Sequence, residues 1–287
     1  MRFKQLNRRT FLFAVLAASI SVFLARISDA EPPKTEAFRF VQLCDTQLGM
    51  SSSKQVVDKK KAFQRDVQSL RQAVKQINAT KSDFVVICGD LVHDFDDKSV
   101  AEFKKIIGKL AVPCYCAPGN HDVGGKPTAA SLRRYRQAIG KDYYSFEHKG
   151  YTFLIANTSL WKSPLEGESE KHDAWIKRTL KEAKKKGSPV FIAAHYPLFV
   201  KTIEEKDQYF NLPLDKRKEL LALYENNGVV ALLAGHTHKT IVKRHKGIQL
   251  VNGETTSVNF DKRPRGFRLW TVTTPLDIKH EPVPLKP

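Results

Sequence analysis

Five times along this chain a short apolar run gives way, within a residue or two, to a small polar block. That rhythm restricts the fold more than any other feature of the sequence. The blocks are Asp45-Thr46-Gln47, Gly89-Asp90-Leu91-Val92-His93, Gly119-Asn120-His121-Asp122, Ala194-His195-Tyr196-Pro197 and Gly235-His236-Thr237-His238. The runs ahead of them include Arg39 to Leu43, Phe84 to Cys88, Cys114 to Ala117, Val190 to Ala194 and Val229 to Ala234. They have strand length, and a continuous apolar run such as Phe84 to Cys88 is of the kind buried on both faces. Between the first three, apolar residues recur at helical spacing: Val57, Phe63, Val67, Leu70, Val74 and Ile77, then Val100, Phe103, Ile107 and Leu110. Such alternation predicts a parallel sheet with right-handed crossovers. Open α/β sheets place their binding residues just beyond the carboxyl ends of the strands, where these blocks fall.

After a helix carrying Leu132, Tyr135 and Ile139, the pattern changes. Tyr143 to His148 and Tyr151 to Asn157 flank Lys149-Gly150, a hairpin signal. Late strands at Ile241 to Arg244, Ile248 to Val251 and Phe267 to Thr273 point to a second sheet. Two packed sheets with helices outside suit one domain better than two. No internal repeat or low-complexity tract is present.

Asp, Asn, Gln and His are the side chains that bind divalent metals of borderline hardness. Taken singly, each block has an ordinary explanation: a Gly-Asp or Gly119-Asn120 turn, a helix-capping Asp45, a core His195 satisfied by hydrogen bonds. Five in fixed order, each after a strand, favour a shared site. His148, His172, His245 and His280 match no block and read as structural.

In order, spacing and strand context, the blocks resemble the calcineurin-like metallophosphoesterase superfamily, over roughly Phe38 to Val272. Gln47-Leu48-Gly49, Cys88-Gly89-Asp90-Leu91-Val92-His93, Tyr143-Tyr144-Ser145-Phe146 and Gln208-Tyr209-Phe210-Asn211-Leu212 are similar to a serine/threonine phosphatase branch of it. The resemblance implies an α/β fold, a four-layer α/β/β/α sandwich of two mixed sheets flanked by helices. It also implies hydrolysis of phosphoesters with two divalent metal ions (Mn, Fe, Zn or Mg). Asp90 would bridge them, Asp45 and His238 would hold the first metal, and Asn120, His195 and His236 the second. His121, beside Asn120, would protonate the leaving oxygen, with Asp122 accepting from its other ring nitrogen. His93 fits a substrate-side group better than a metal ligand.

The first block departs from the superfamily's usual Asp-x-His, because Gln47 stands at the third position. An amide oxygen is a neutral and harder ligand than imidazole, which favours Mn, Mg or Fe over Zn. The phosphatase branch shares a Gln there. A phosphomonoesterase, a protein phosphatase among them, and a phosphodiesterase acting on nucleotide or lipid diesters need the same metals and acid, and differ in pocket walls. The stretch from Ile203 to Leu212 is a candidate wall or lid, or an ordinary loop with a packing Phe210. A scaffold that kept the fold and lost the chemistry would have no need of His121.

At the N-terminus, Arg2, Lys4, Arg8 and Arg9 precede the uncharged run Phe11 to Leu24 and then Ser28-Asp29-Ala30. The run is short for a membrane span, and Asn7-Arg8-Arg9-Thr10-Phe11-Leu12 is similar to a twin-arginine export signal. Residues 1–30 are thus expected to be a cleaved signal and residues 36–280 the catalytic domain. The mature protein would be periplasmic or extracellular, monomeric, and without a stable membrane span. The formal net charge is +18, a field that attracts anions such as a phosphorylated substrate. No nucleic-acid-binding module is readable. Lys59-Lys60-Lys61 and Lys184-Lys185-Lys186 read as solvated helix faces. The four cysteines read as free thiols acting as small apolar residues, with a Cys44 to Cys88 bridge as the alternative in an oxidising compartment.

Overall fold

The apolar runs pair into two sheets in the computed structural model, which describes residues 35–53 and 56–286. Along the chain these form β1 (Phe38–Leu43), α1 (Met50–Ser53), α2 (Lys59–Asn78), β2 (Phe84–Cys88), α3 (Asp97–Ile107), β3 (Cys114–Ala117), α4 (Asn120–Val123), α5 (Ala129–Ala138), β4 (Tyr144–His148) and β5 (Tyr151–Ile155). There follow α6 (Ser159–Lys162), α7 (Glu168–Lys186), β6 (Val190–Ala193), α8 (Leu214–Glu225), β7 (Val229–Ala234), β8 (Ile241–His245), β9 (Ile248–Asn252), β10 (Gly266–Thr274) and β11 (Asp277–Pro284). One sheet has strand order β11-β10-β1-β2-β3 and the other β4-β5-β6-β7-β9-β8. Strands β1, β2 and β3 run parallel, as do β5, β6, β7 and β9, and β4, β8, β10 and β11 pair antiparallel with their neighbours. Both sheets are mixed, as expected.

Three apolar clusters define the layers. Between the sheets lie Phe38, Phe40, Phe84, Val86, Phe153, Ile155, Phe191, Leu233 and Trp270, with the rest of that face. On the outer side of the first sheet, Val41, Leu43, Val85 and Ile87 meet Val67, Leu70 and Val74 of α2 and Val100 and Phe103 of α3. Outside the second sheet, Leu154, Ile192 and Leu232 meet Ile176 and Leu180 of α7 and Leu220 and Leu221 of α8. Strands β1 and β2 therefore bury alternate residues in different clusters, as the period of two requires when both faces are covered. Asp58 caps α2 through the Lys61 N–H, and Asp96 caps α3 through those of Lys98 and Ser99. Lys149 and Gly150 both take positive φ (47° and 84°), the backbone a tight hairpin turn needs.

The last third of the chain corrects the sequence reading. Strands β8 and β9 do join the second sheet, but the strand around Phe267 to Thr273 returns to the first, where Phe40 faces Trp270 across an antiparallel pair. There β10 is covered on both faces: Trp270 and Val272 enter the inter-sheet layer while Phe267 and Leu269 join the α2 side. Strand β11, with Pro282 and Pro284, gives no strand signal, and an edge position tolerates prolines that cannot donate to a ladder. Val57 lies outside α2 and is fully exposed, because Asp58 starts the helix after it. Both lysine runs are exposed, as expected.

All four cysteines are free thiols. Cys44 is buried and donates to the Ala234 carbonyl at 3.2 Å. The expected export signal lies outside the described residues, among which no helix is long and apolar enough to cross a membrane.

The inter-sheet layer is aromatic. Phe40 stacks on Phe84 at 5.2 Å and on Trp270 at 5.6 Å, and meets Phe153 and Phe191 edge-on at 5.4 Å each. A ring with partners in both sheets cannot be replaced by local collapse. Phe40→Ala is expected to cost about 3–5 kcal/mol. Urea unfolding checks this as a fall in midpoint at unchanged slope.

Candidate metal centre

The loops after β1, β2, β3, β6 and β7 bring all five polar blocks together. Hydrogen bonds between the blocks set their spacing. The Asp45 carboxylate accepts the His236 backbone N–H at 2.9 and 3.0 Å, joining the first block to the fifth. The Asp90 Oδ1 accepts the His121 backbone N–H at 2.9 Å, joining the second to the third. His195 Nε2 lies 3.3 Å from Asp90 Oδ1, 3.0 Å from Asn120 Oδ1 and 3.1 Å from His236 Nδ1. His238 Nε2 lies 3.4 Å from Asp45 Oδ1. One donor atom from each of Asp90, His195 and His236 falls within a 4.8 Å group.

Each of these histidines has one nitrogen tied to a backbone carbonyl. His195 Nδ1 is 2.9 Å from the Cys88 carbonyl, His236 Nε2 3.2 Å from that of Tyr209, and His238 Nδ1 2.5 Å from that of Val258. A carbonyl only accepts, so those nitrogens carry protons and the opposite nitrogens are the ones that face the cluster. This is the arrangement that orients histidine toward a metal.

Gln47 fits the same purpose. Its Nε2 lies 3.4 Å from His93 Nδ1, which fixes the amide, and its buried Oε1 has no hydrogen-bond partner. An orphaned buried carbonyl oxygen is costly unless something electropositive meets it. The backbone is also held under strain here. Among the described residues, Asp45, Gln47, Asp90, His236 and His238 all have positive φ, and only four other non-glycine residues do. Such conformations cost on the order of 1–3 kcal/mol each and persist where surrounding structure enforces them. Gly119 shows how closely the loops approach, since a Cβ there would sit 2.1 Å from Asp90 Oδ1.

Electrostatics point the same way. Asp45, Asp90 and Asp122 are all buried. Burial raises the Asp45 carboxyl, against the pull of His238 and His195, with the Asp90 charge adding to the rise. Burial, then the Asp90 charge, push Asp122 up well beyond the usual range. Burial acts upward on Asp90 as well, but the neighbouring His195 outweighs it and holds that carboxyl well below its ordinary value. His195, despite burial, is driven up to about 10 by Asp90 and Asp45. Buried carboxylates are thus crowded together with imidazole nitrogens and a bare amide oxygen, a donor set that suits divalent cations. Asp45, Gln47, Asp90, Asn120, His195, His236 and His238 could hold them.

Asp122 differs from the expectation. Its carboxylate accepts the Leu91 N–H at 3.0 Å and the Gly119 N–H at 2.8 Å, so it binds the loop of Asp90 to the loop of Asn120. The ring of His121 is held elsewhere: Nδ1 donates to the His93 carbonyl at 2.7 Å, and the imidazole lies on that of His93 at 4.6 Å. The backbone N–H groups left unsatisfied by the tight Gly119 turn claim the carboxylate, which makes Asp122 a positioning residue.

Several contacts have no sequence signature, being carbonyls of Cys88, His93, Tyr209 and Val258. Tyr209 itself comes from the candidate wall, and the structure sets it at the site. Its hydroxyl is 3.4 Å from Asn120 Nδ2 and its ring 4.7 Å from that of His236. Its sequence signal is the Gln208-Tyr209-Phe210-Asn211-Leu212 stretch.

Residues 39–240 match the calcineurin-like phosphoesterase family model, and the chain belongs to that family. It is 30% identical over 281 residues to the serine/threonine-protein phosphatase CPPED1 of Danio rerio, across 90% of this chain and 91% of the relative. It is 23% identical over 240 residues to the 3',5'-cyclic adenosine monophosphate phosphodiesterase CpdA of Vibrio vulnificus, across 83% of each. The fold is similar to that of a dimetal phosphatase from Danio rerio, with a TM-score of 0.60 at 15% identity, over 85% of this chain and 98% of that one. The protein is a hydrolase acting on phosphoester bonds, in a family that depends on two metal ions.

If Asp90 is the shared anionic ligand, Asp90→Asn lowers metal affinity by about tenfold or more, since even outer partners of ligands act on that scale. Gln47→His tightens one binding step, most of all for Zn. Calorimetric titration of the metal-free protein, with elemental analysis, checks both.

Proposed function

We propose that this chain is an exported phosphomonoesterase, with phosphoserine or phosphothreonine in a peptide as the substrate class. One observation carries the monoester reading. The Gln208–Leu212 segment, which bears the resemblance to the phosphatase branch, is the segment that touches Asn120 and His236. That the segment resembling the phosphatase branch lies against these two residues supports the phosphatase reading. The similarity to a cyclic-nucleotide phosphodiesterase supports the diesterase alternative, at lower identity. The charged N-terminal segment supports export.

Two divalent ions, when bound, supply Lewis acidity and acidify the attacking water. Asp90 would be their shared ligand, with Asp45, Gln47 and His238 holding one ion and Asn120, His195 and His236 the other. His121 is the proton donor in this reading. Its backbone N–H is fixed on Asp90 and its Nδ1–H on the His93 carbonyl, so Nε2 is the nitrogen left to give a proton to the leaving oxygen. Burial, and then the charge of His121, push the His93 pKa down.

His121→Ala should lose about 100- to 10,000-fold on alkyl phosphates, whose leaving group needs the proton, and far less on p-nitrophenyl phosphate. Metal content should hardly change. Equal losses on both esters would remove His121 from the acid role.

A panel of phosphoserine peptides, phosphotyrosine peptides, nucleotide monoesters and bis-aryl diesters, at fixed metal and two salt concentrations, tests the substrate class. Phosphopeptides are expected to lead. Because the chain is strongly basic, their kcat/KM should fall as salt rises. Diester turnover well above every monoester would replace this reading with the diesterase one.

A further inference from the structure

The segment from Lys201 to Leu214 is built as a rigid strap. Arg217, fully buried in α8, donates to the carbonyls of Ile203 and Glu205 and to the Asp207 carboxylate, each at 2.7 Å. Lys162 Nζ donates to the carbonyls of Gln208 and Asn211, the latter at 2.6 Å. Glu205 accepts the N–H groups of Val200 and Lys201 at 2.7 Å and the Asn211 side-chain amide at 2.7 Å. Partial burial acts upward on that carboxyl, yet the N–H groups of Val200, Lys201 and Thr202 with the Asn211 amide hold it down to about 2, so these bonds persist through the neutral range. A segment pinned by two cations and a carboxylate from inside is poorly suited to swing as a lid. It holds something in place.

What it holds is Tyr209. The backbone carbonyl of that residue accepts from His236 Nε2, while its side chain remains 57% exposed. Among the described residues, the exposed large apolar side chains are Val57, Tyr209, Val242, Phe260 and Leu276. Only two of these are aromatic, and each lies against a histidine of the site: Tyr209 on His236, and Phe260 on His238 at 4.8 Å. Ordinary packing would turn such rings inward. The hydroxyl adds a chemical constraint. The side-chain nitrogen of Asn120 has only protons to offer, so at 3.4 Å the Tyr209 oxygen is the acceptor. Its own proton is then free to be given elsewhere, beside a residue that could hold a metal.

We propose that Tyr209 is a substrate-binding residue whose hydroxyl donates to a non-bridging phosphoryl oxygen of the phosphoester, with the strap fixing its position. The inference rests on the phosphoester-hydrolase reading of the same site. A neutral donor aimed at an oxygen bearing negative charge makes a bond of the stronger kind, and one whose worth does not depend on the leaving group. Ground state, transition state and released phosphate all present such oxygens. Tyr209 should therefore affect substrate and phosphate binding alike, unlike His121, whose effect varies with the leaving group.

The experiment compares wild type and Tyr209→Phe, both loaded with the same metal. Inorganic phosphate affinity is read by calorimetry, and p-nitrophenyl phosphate and alkyl phosphate hydrolysis by steady-state kinetics. The substitution keeps the ring and the backbone carbonyl and removes only the donor. Phosphate affinity and kcat/KM on both esters are expected to fall by about ten- to a hundredfold, with KM rising. Metal content and melting temperature should match wild type. Unchanged phosphate affinity and kinetics in Tyr209→Phe would overturn the inference while leaving the hydrolase reading intact. Loss of metal or a lowered melting temperature as the source of the defect would overturn it too, because Tyr209 would then act on the fold. A metal-loaded wild type that neither binds phosphate nor cleaves either ester would sink both readings together.

Discussion

Three carboxylates, Asp45, Asp90 and Asp122, sit buried together at the shared end of two sheets, and much of the architecture serves to make that tolerable. Burying one unpaired charge costs several kcal/mol even after relaxation, and like charges add to the cost. Each carboxylate here is met by a backbone N–H from another loop: Asp45 by His236, Asp90 by His121, and Asp122 by Leu91, with Gly119 of its own turn adding a second donor. The acids are therefore ligands for the backbone before they are ligands for anything else. The loops can approach one another only because these contacts exist, and the positive-φ conformations of Asp45, Asp90 and His236 aim the side chains inward. Cations bound there would add their binding free energy to folding. Where the apolar layers supply the bulk of stability, the buried acids and their backbone donors fix the conformation of the loops.

This division explains what the sequence revealed. Strand runs and helix stripes were legible because burial on one face or both leaves a period, and the layers follow from it. The gathering of the candidate donors was legible because strand ends of a parallel sheet bring together whatever follows them. The return of β10 to the first sheet was not, since apolar residues on both faces of a strand say that it is covered, not by which sheet. Strand β11 was hidden by its prolines. In the site, the partner of His121 was misread for a related reason. Asp122 lies next to it in sequence, but a carboxylate beside a tight turn is claimed by backbone donors, and the ring turns to the His93 carbonyl. Carbonyl partners leave no mark on a sequence, and four of them hold histidines here.

Gln47, where the superfamily usually carries histidine, keeps the two contacts that an imidazole would make. Imidazole can place one nitrogen on a metal and the other on a fixing partner. An amide does the same through two different atoms: Nε2 toward His93, Oε1 into the site. The orienting contact thus survives the exchange, while the donor changes from nitrogen to a neutral, harder oxygen. It also links the first block to His93, whose carbonyl in turn holds His121. A single chain of contacts therefore runs from a ligand position through His93 to the group read as the acid, so that metal-site geometry and proton-donor geometry are set by the same residues.

The strap shows the opposite strategy at the mouth of the site. Inside, orientation comes from short bonds between loops of the two sheets. At the mouth it comes from Arg217 and Lys162, cations spent on backbone carbonyls and not on solvent or substrate. A strongly basic protein that acts on phosphoesters has many cations to draw anions in, but a flexible lysine at the site would hold phosphate as a point charge without direction. Placing the cations behind the strap and an aromatic hydroxyl in front substitutes geometry for charge. In the role proposed for Tyr209, attraction is left to the long-range field, and the fit of the phosphoryl group to fixed donors beside the candidate metal ligands.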